Sequence, residues 1–212
     1  MKVVNEWKLA DIGGCADFIG GSQPPQSTFI GEPRAGYVRL LQIRDYKTDR
    51  FATYIPQGLS KRWCDENDIM IGRYGPPIFQ ILRGQKGSYN VALIKAVPKE
   101  QVDRDYLFYT LKRSDLFCTI DRLSSRTSGQ TGIDMDALRT FPVALPPFPE
   151  QRKIADILST WDEALEKLDA LIAAKDRRKQ ALMQQLPTGK KRVKGANGKW
   201  KVATLGDLLT PI

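Results

Sequence analysis

Histidine is absent from the 212 residues. That removes the commonest general base, every His-dependent triad and most zinc sites. No Gly-rich loop of Walker type and no GxGxxG segment offers a cradle for nucleotide phosphates. Cysteine is scarce. Cys15, Cys64 and Cys118 are odd in number and share no metal-ligand spacing, which fits reduced thiols in a cytoplasmic protein. No segment approaches the ~20 apolar residues of a membrane span. Residues 1–11 carry charges where a secretory signal would carry an apolar run. With these features missing, the reading turns to binding.

Net charge is +9, and its distribution is uneven. Residues 1–149 hold 20 basic and 16 acidic side chains, giving +4; residues 150–174 hold 3 and 6, giving −3; residues 175–212 hold 10 and 2, giving +8. The basic excess therefore begins midway along the C-terminal third. Such a cluster suits nucleic acid, and equally suits a solvated linker.

The segment from Glu150 to Gln185 has no Gly or Pro and is rich in Ala, Leu, Glu, Lys, Gln and Arg, the strong helix formers. Pro149 suits a first helical position, Glu150 puts negative charge in the first turn, and Leu186-Pro187-Thr188-Gly189 stops the run. One helix is predicted, roughly 50 Å long at ~1.5 Å per residue. Ile154, Leu158, Trp161, Leu165, Leu168 and Ile172 alternate by four and three, and the register resumes at Leu182 and Leu186. Ile157, Ala164 and Leu171 widen this seam, and Lys175 and Lys179 interrupt it. A 3.5-residue repeat of this length predicts pairing with a second helix, in preference to a lone amphipathic helix lying on its own domain.

Before the helix, the pattern predicts an α+β domain of short strands and a few helices. Residues 13–34 read as a Gly, Pro, Ser and Gln-rich loop. Residues 37–44 and 69–74 read as strands, and 63–68 as a turn. Residues 78–83 and 89–97 read as a hairpin around Gly84-Gln85-Lys86-Gly87. A single helix is predicted over 104–118 with Asp103 as its cap, a short helix over 134–139, and a last strand over 141–145. Leu145-Pro146-Pro147-Phe148 lacks the polar first residue that an adenine methyltransferase motif would use on its target amine. Its prolines are read as stiffening the approach to the helix. Trp7-Lys8-Leu9-Ala10-Asp11-Ile12-Gly13 is echoed by Trp200-Lys201-Val202-Ala203-Thr204-Leu205-Gly206, which predicts the start of a second copy of one unit.

Basic, aromatic and amide side chains at strand ends and in loops are the candidate DNA contacts: Arg39, Arg44, Tyr46, Lys47, Arg73, Tyr74, Lys86, Arg122, Arg126 and Gln130. Arg reads guanine edges bidentately, Gln reads adenine, and Lys takes phosphates. Each of these residues taken singly is also an ordinary surface residue. Trp161 is assigned to the helical seam.

Four stretches make the chain resemble the specificity subunit of type I restriction-modification systems. They are Trp7 to Gly13, Gly72-Arg73-Tyr74-Gly75 with Tyr89-Asn90-Val91-Ala92-Leu93, the restart at Trp200, and, most specifically, Phe141-Pro142-Val143-Ala144-Leu145-Pro146-Pro147-Phe148-Pro149-Glu150-Gln151-Arg152-Lys153-Ile154. The resemblance implies a DNA-binding target-recognition domain over 1–149, a conserved-region coiled-coil helix over 150–186, and a basic linker with the start of a second repeat over 187–212. It implies a non-catalytic chain that reads one half of a bipartite double-stranded DNA target. It also implies docking of methylation and restriction subunits. No cofactor is expected on this chain; S-adenosylmethionine, ATP and Mg are expected on those partners. The long helix is expected to pair with a second conserved-region helix, in cis in a longer chain or in trans in a homodimer. The competing class is a coiled-coil interaction scaffold without DNA specificity of its own.

Overall fold

The computed structural model describes residues 6–124, 132–201, 203, 204 and 206. The chain divides into two compact units, residues 1–158 and 159–212. In chain order the strands of the first unit are β1 (Lys8–Asp11), β2 (Ala16–Gly20), β3 (Tyr37–Leu41), β4 (Tyr54–Pro56) and β5 (Trp63–Cys64), then β6 (Ile69–Gly72), β7 (Gln80–Leu82), β8 (Gly87–Tyr89), β9 (Leu93–Pro98) and β10 (Pro142–Leu145). The helices are α1 (Ile12–Cys15), α2 (Arg104–Leu111), α3 (Ser114–Ser124), α4 (Met135–Arg139) and α5 (Phe148–Gln185), the last running on into the second unit. The fold is α+β with a long C-terminal helix, as the residue patterns predict.

Three sheets share the strands. One, in the order β2-β9-β6-β7, is antiparallel throughout. A second runs β4-β3-β8-β5, with β3 and β8 parallel. The third is the pair β1-β10. Strand alternation places β6 between two cores. Ile69 and Ile71 join the larger core with Ile94, Leu107, Leu111, Leu116 and Ile120, packed against α2 and α3. Met70 joins Leu41, Cys64, Tyr89 and Leu93 in a smaller core between the two sheets. The order is therefore helices, helix-backed sheet, second sheet. Lys95 also leaves the helix side, and its Nζ lies 3.0 Å from Asp68 Oδ2.

Local chemistry explains where the elements start and stop. Asp103 Oδ1 accepts from the Asp105 and Tyr106 amides, and Asp134 Oδ1 accepts from those of Asp136 and Ala137. Both are N-caps with the preferred residue. The expected single helix over 104–118 is two. It ends at Leu111, and Asp115 begins the next turn by accepting from the Leu116 amide while pairing with Arg113. The expected strand over 37–44 ends at Leu41. The Gln42 amide donates to Asp45 Oδ2 at 2.7 Å, closing a tight turn over Ile43–Tyr46. The loop expected over 13–34 contains most of α1 and all of β2, which lacks a clean polar and apolar alternation. The turn expected at 63–68 begins with β5.

The expected hairpin of 78–83 with 89–97 is not formed. β7 and β9 both pair with β6, and β8 leaves for the second sheet. Gly87 allows the departure. Its φ is +155°, and a Cβ there would lie 2.7 Å from the Arg39 carbonyl oxygen. Only glycine combines that backbone with so close an approach.

Burial divides the thiols. Cys15 and Cys64 are buried and Cys118 is exposed. Desolvation pushes the Cys64 thiol up to about 11 and raises Cys15 as well. Only a thiolate alkylates readily. Iodoacetamide at pH 8 should therefore modify Cys118 first, with Cys15 and Cys64 reacting after unfolding; peptide mass spectrometry checks the order. Equal rates at all three would contradict this packing.

Candidate nucleic-acid interface

The second sheet and the turns attached to it carry five of the ten candidate contacts. Residues 34–62 hold seven basic side chains against two acidic ones, Asp45 and Asp49. Arg44, Lys47, Arg50 and Phe51 are exposed. The guanidinium groups of Arg44 and Arg50 lie 5.5 and 5.4 Å from the centre of the Phe51 ring. An exposed ring flanked by two planar cations provides a surface for bases and phosphates alike.

Beneath that surface the turn is braced. Asp45 is buried, and desolvation raises its carboxyl above the usual range, opposed by the Gln42 amide and by Arg39. Arg39 bonds Asp49 and lies 3.8 Å from Asp45, so its guanidinium faces the protein's own carboxylates. Tyr46 is half-buried and packs on the smaller core, its hydroxyl inside and well above its ordinary pKa through desolvation. The Gln85 amide donates to the Asp45 carbonyl at 3.3 Å, drawing the 84–86 turn alongside. There Lys86 pairs with Asp65 at 3.3 Å, both largely exposed. The structure thus brings Arg39, Arg44, Tyr46, Lys47 and Lys86 into one braced region. Only Arg44, Lys47 and Lys86 of these present exposed side chains.

Arg73 and Tyr74 follow β6. The Arg73 guanidinium lies 5.4 Å from the Tyr74 ring centre, and its buried Nε has no hydrogen-bond partner among the described residues. Arg122 is exposed on the last turn of α3. Among the described residues no hydrogen bond or ion pair joins Arg73 or Arg122 to the 39–51 segment. Arg126 and Gln130 lie outside the described residues. Sequence reasoning passed over Arg50 and Phe51, although Arg44-Asp45-Tyr46-Lys47-Thr48-Asp49-Arg50-Phe51 already interleaves basic and aromatic residues.

Near the C-terminal boundary of the first unit, three successive residues fasten the start of α5. Glu150 Oε2 accepts from Trp7 Nε1 at 3.1 Å. Gln151 is buried and fully satisfied: Nε2 donates to the carbonyls of Gln101 (3.0 Å) and Pro146 (2.9 Å), and Oε1 accepts from the Asp103 amide (2.8 Å). Arg152 lies 3.9 Å from Asp103. The most specific motif in the sequence is thus a mechanical joint. Further along α5, residues 160–181 are exposed without exception, including Trp161, Leu165, Leu168 and Ile172; Ile154, Leu182 and Leu186 are partly covered. Among the described residues no acidic, Cys or His cluster suits a metal ion, and no helix is long and apolar enough to cross a membrane.

A family described as the type I restriction modification DNA specificity domain matches residues 5–174. The match takes in the sheets, the joint and the first part of the seam, and the chain belongs to this family. Its relatives include the type I restriction enzyme MjaVIII specificity subunit of Methanocaldococcus jannaschii, 30% identical over 193 residues, which are 89% of this chain and 43% of that protein. The putative MjaX specificity subunit of the same organism is 25% identical over 88% of this chain and 47% of its own length. The chain spans less than half the length of these curated relatives. Among solved structures, the HsdS subunit from Thermoanaerobacter tengcongensis superposes with a TM-score of 0.62 at 19% identity, over 87% of this chain and 45% of that one. A type I restriction-modification assembly gives 0.64 at 20% identity, over 87% of this chain and 46% of that one. At these identities the structures support the fold.

Proposed function

We propose that this chain is a non-catalytic DNA-recognition module of a type I restriction-modification system, reading one half of a bipartite double-stranded target. The observation that carries the reading is the extent of the family match, which unites the braced basic region and the helical joint in one 5–174 block. Residues 1–149 act as the recognition domain and 150–186 as a spacer helix, with 187–212 a basic linker opening a second repeat. Methylation and restriction subunits dock on the assembly and bring S-adenosylmethionine, ATP and Mg.

The exposed seam pairs with a second conserved-region helix, in cis or from another copy. Charge favours an antiparallel pair: residues 150–174 carry −3, and residues 175–186 carry four basic side chains against one acidic. Two such helices side by side set the separation of two half-sites, as dimer geometry does in other DNA readers.

Duplex titration across salt concentrations tests the reading. Counterion release predicts a loss of roughly 10³-fold between about 50 and 200 mM salt for ~6 phosphate contacts. No affinity at low salt, with the methylation subunit present, would leave only the interaction scaffold. Arg73→Ala is expected to cost about 1–3 kcal/mol of specific binding if its guanidinium contacts a base edge. Unchanged affinity would remove Arg73 from the interface and leave the family assignment standing.

A further inference from the structure

A cleft of about 680 Å³ opens beside the basic region, and its lining is uncharged. Gln23, Gln26, Gln42 and Asn90 line it together with Phe29, Val91 and two prolines, so no lining side chain ionises. In a chain of net charge +9 that is a sharp local change. Gln42 stands two residues before the exposed Arg44, so the neutral cleft and the cationic surface adjoin along the chain.

Main-chain contacts tie together the two segments whose next residues line the cleft. The Gly21 amide donates to the Leu93 carbonyl at 3.0 Å and the Ser22 amide to the Tyr89 carbonyl at 3.1 Å. A Cβ on Gly21 would lie 1.9 Å from the Asn90 carbonyl oxygen, so the two backbones meet there as only glycine allows. Beyond Gly21 the loop is stiffened by Pro24 and Pro25, and the Phe29 amide donates to the Gln26 carbonyl at 3.1 Å. Two carboxamides are committed inward: Asn90 Oδ1 accepts from the Ala92 amide, and Gln42 Nε2 donates to Thr53 Oγ1. Gln23 and Gln26 are exposed, and among the described residues the side-chain carboxamide of neither makes a hydrogen bond. They are the spare donor–acceptor groups of a preformed cleft.

A carboxamide presents a donor and an acceptor side by side. In the major groove only adenine offers the matching pair, the N6 amino group and N7; guanine offers two acceptors and is read by cations. Thymine opposite adds a methyl group, which an apolar wall such as Phe29 and Val91 accommodates. Resting on the DNA-recognition reading above, we infer that this cleft reads an A·T pair in the half-site. Gln23 or Gln26 contacts the adenine edge, and the cationic 44–51 turn holds the adjoining backbone.

Selection of bound duplexes from a random-sequence library by the full chain, with its methylation subunit, tests this. The wild-type chain and Gln23→Ala, Gln26→Ala, Gln23→Arg and Gln26→Arg are compared. Both glutamines are exposed, and thermal unfolding confirms that the variants fold. An A·T position in the wild-type motif should lose about tenfold of its preference in one alanine variant. The matching arginine variant should move that same position towards G·C, a change of sequence that mere loosening of the loop would not produce. Identical motifs from all five chains overturn the cleft as a reader while DNA recognition stands. A wild-type motif without any A·T position does the same. If the wild-type chain selects no sequence, the proposed function falls and this inference falls with it.

Discussion

Where the seam pairs two copies of the chain, Leu165→Arg is expected to leave a monomer. Leu165 lies mid-seam and is more than half exposed in a single chain, as are Trp161 and Ile172. Full burial of a leucine contributes about 1.5–3 kcal/mol. In a twofold pair the substitution acts twice, so roughly 3–6 kcal/mol is lost before the cost of burying a charge is added. At ~1.4 kcal/mol per decade the dissociation constant rises at least about 100-fold. Sedimentation velocity at micromolar concentration separates the two masses. The joint at Glu150 to Arg152 and the core around Ile69 lie away from this position in the sequence, so the melting of the recognition unit should not change. Equal masses for a dimeric wild type and its variant would refute the seam. A monomeric wild type would refute pairing between copies and leave pairing within a longer chain.

The second large effect is expected at Gln151. Its amide makes three hydrogen bonds, and the residue is 1% exposed, so water cannot replace what alanine removes. A buried group left unsatisfied costs about 1–3 kcal/mol, and two carbonyls and one amide are affected here. Gln151→Ala should therefore lower the stability of residues 1–158 by about 2–4 kcal/mol. That is a large share of the ~5–15 kcal/mol a domain holds. Gln151→Glu should fare no better, because it turns a carboxylate oxygen towards two carbonyl oxygens. Urea unfolding followed by circular dichroism reads both. A midpoint unmoved by the alanine variant would mean that the joint carries no load.

Helical features were the most legible in the sequence, for a physical reason. A helix closes its hydrogen bonds within a few residues, so Asp103, Asp134 and the Gly- and Pro-free run after Pro149 state its limits locally. The second sheet could not be read that way. Trp63–Cys64, Tyr54–Pro56 and Gly87–Tyr89 are two or three residues long, and their partners lie far along the chain. Gly87 looked like the turn of a hairpin, when its role is to let β8 pass close to Arg39. The candidate interface was legible as a region and less so residue by residue. Arg39 is tied to Asp45 and Asp49, carboxylates six and ten residues on that only the folded turn brings to it. Gln23 and Gln26 are uncharged, and in the sequence nothing sets them apart from other polar loop residues.

The division of labour across β6 has an evolutionary consequence. Its Ile69 and Ile71 side belongs to a core shared with four helices, whereas its Met70 side meets only a handful of buried residues. The outer layer can therefore be rewritten, through the loops and short turns of residues 22–62, with little disturbance to the scaffold that carries it. If that layer reads the target, as proposed, a change of target needs substitutions in it alone and leaves the joint at Glu150 to Arg152 as it is.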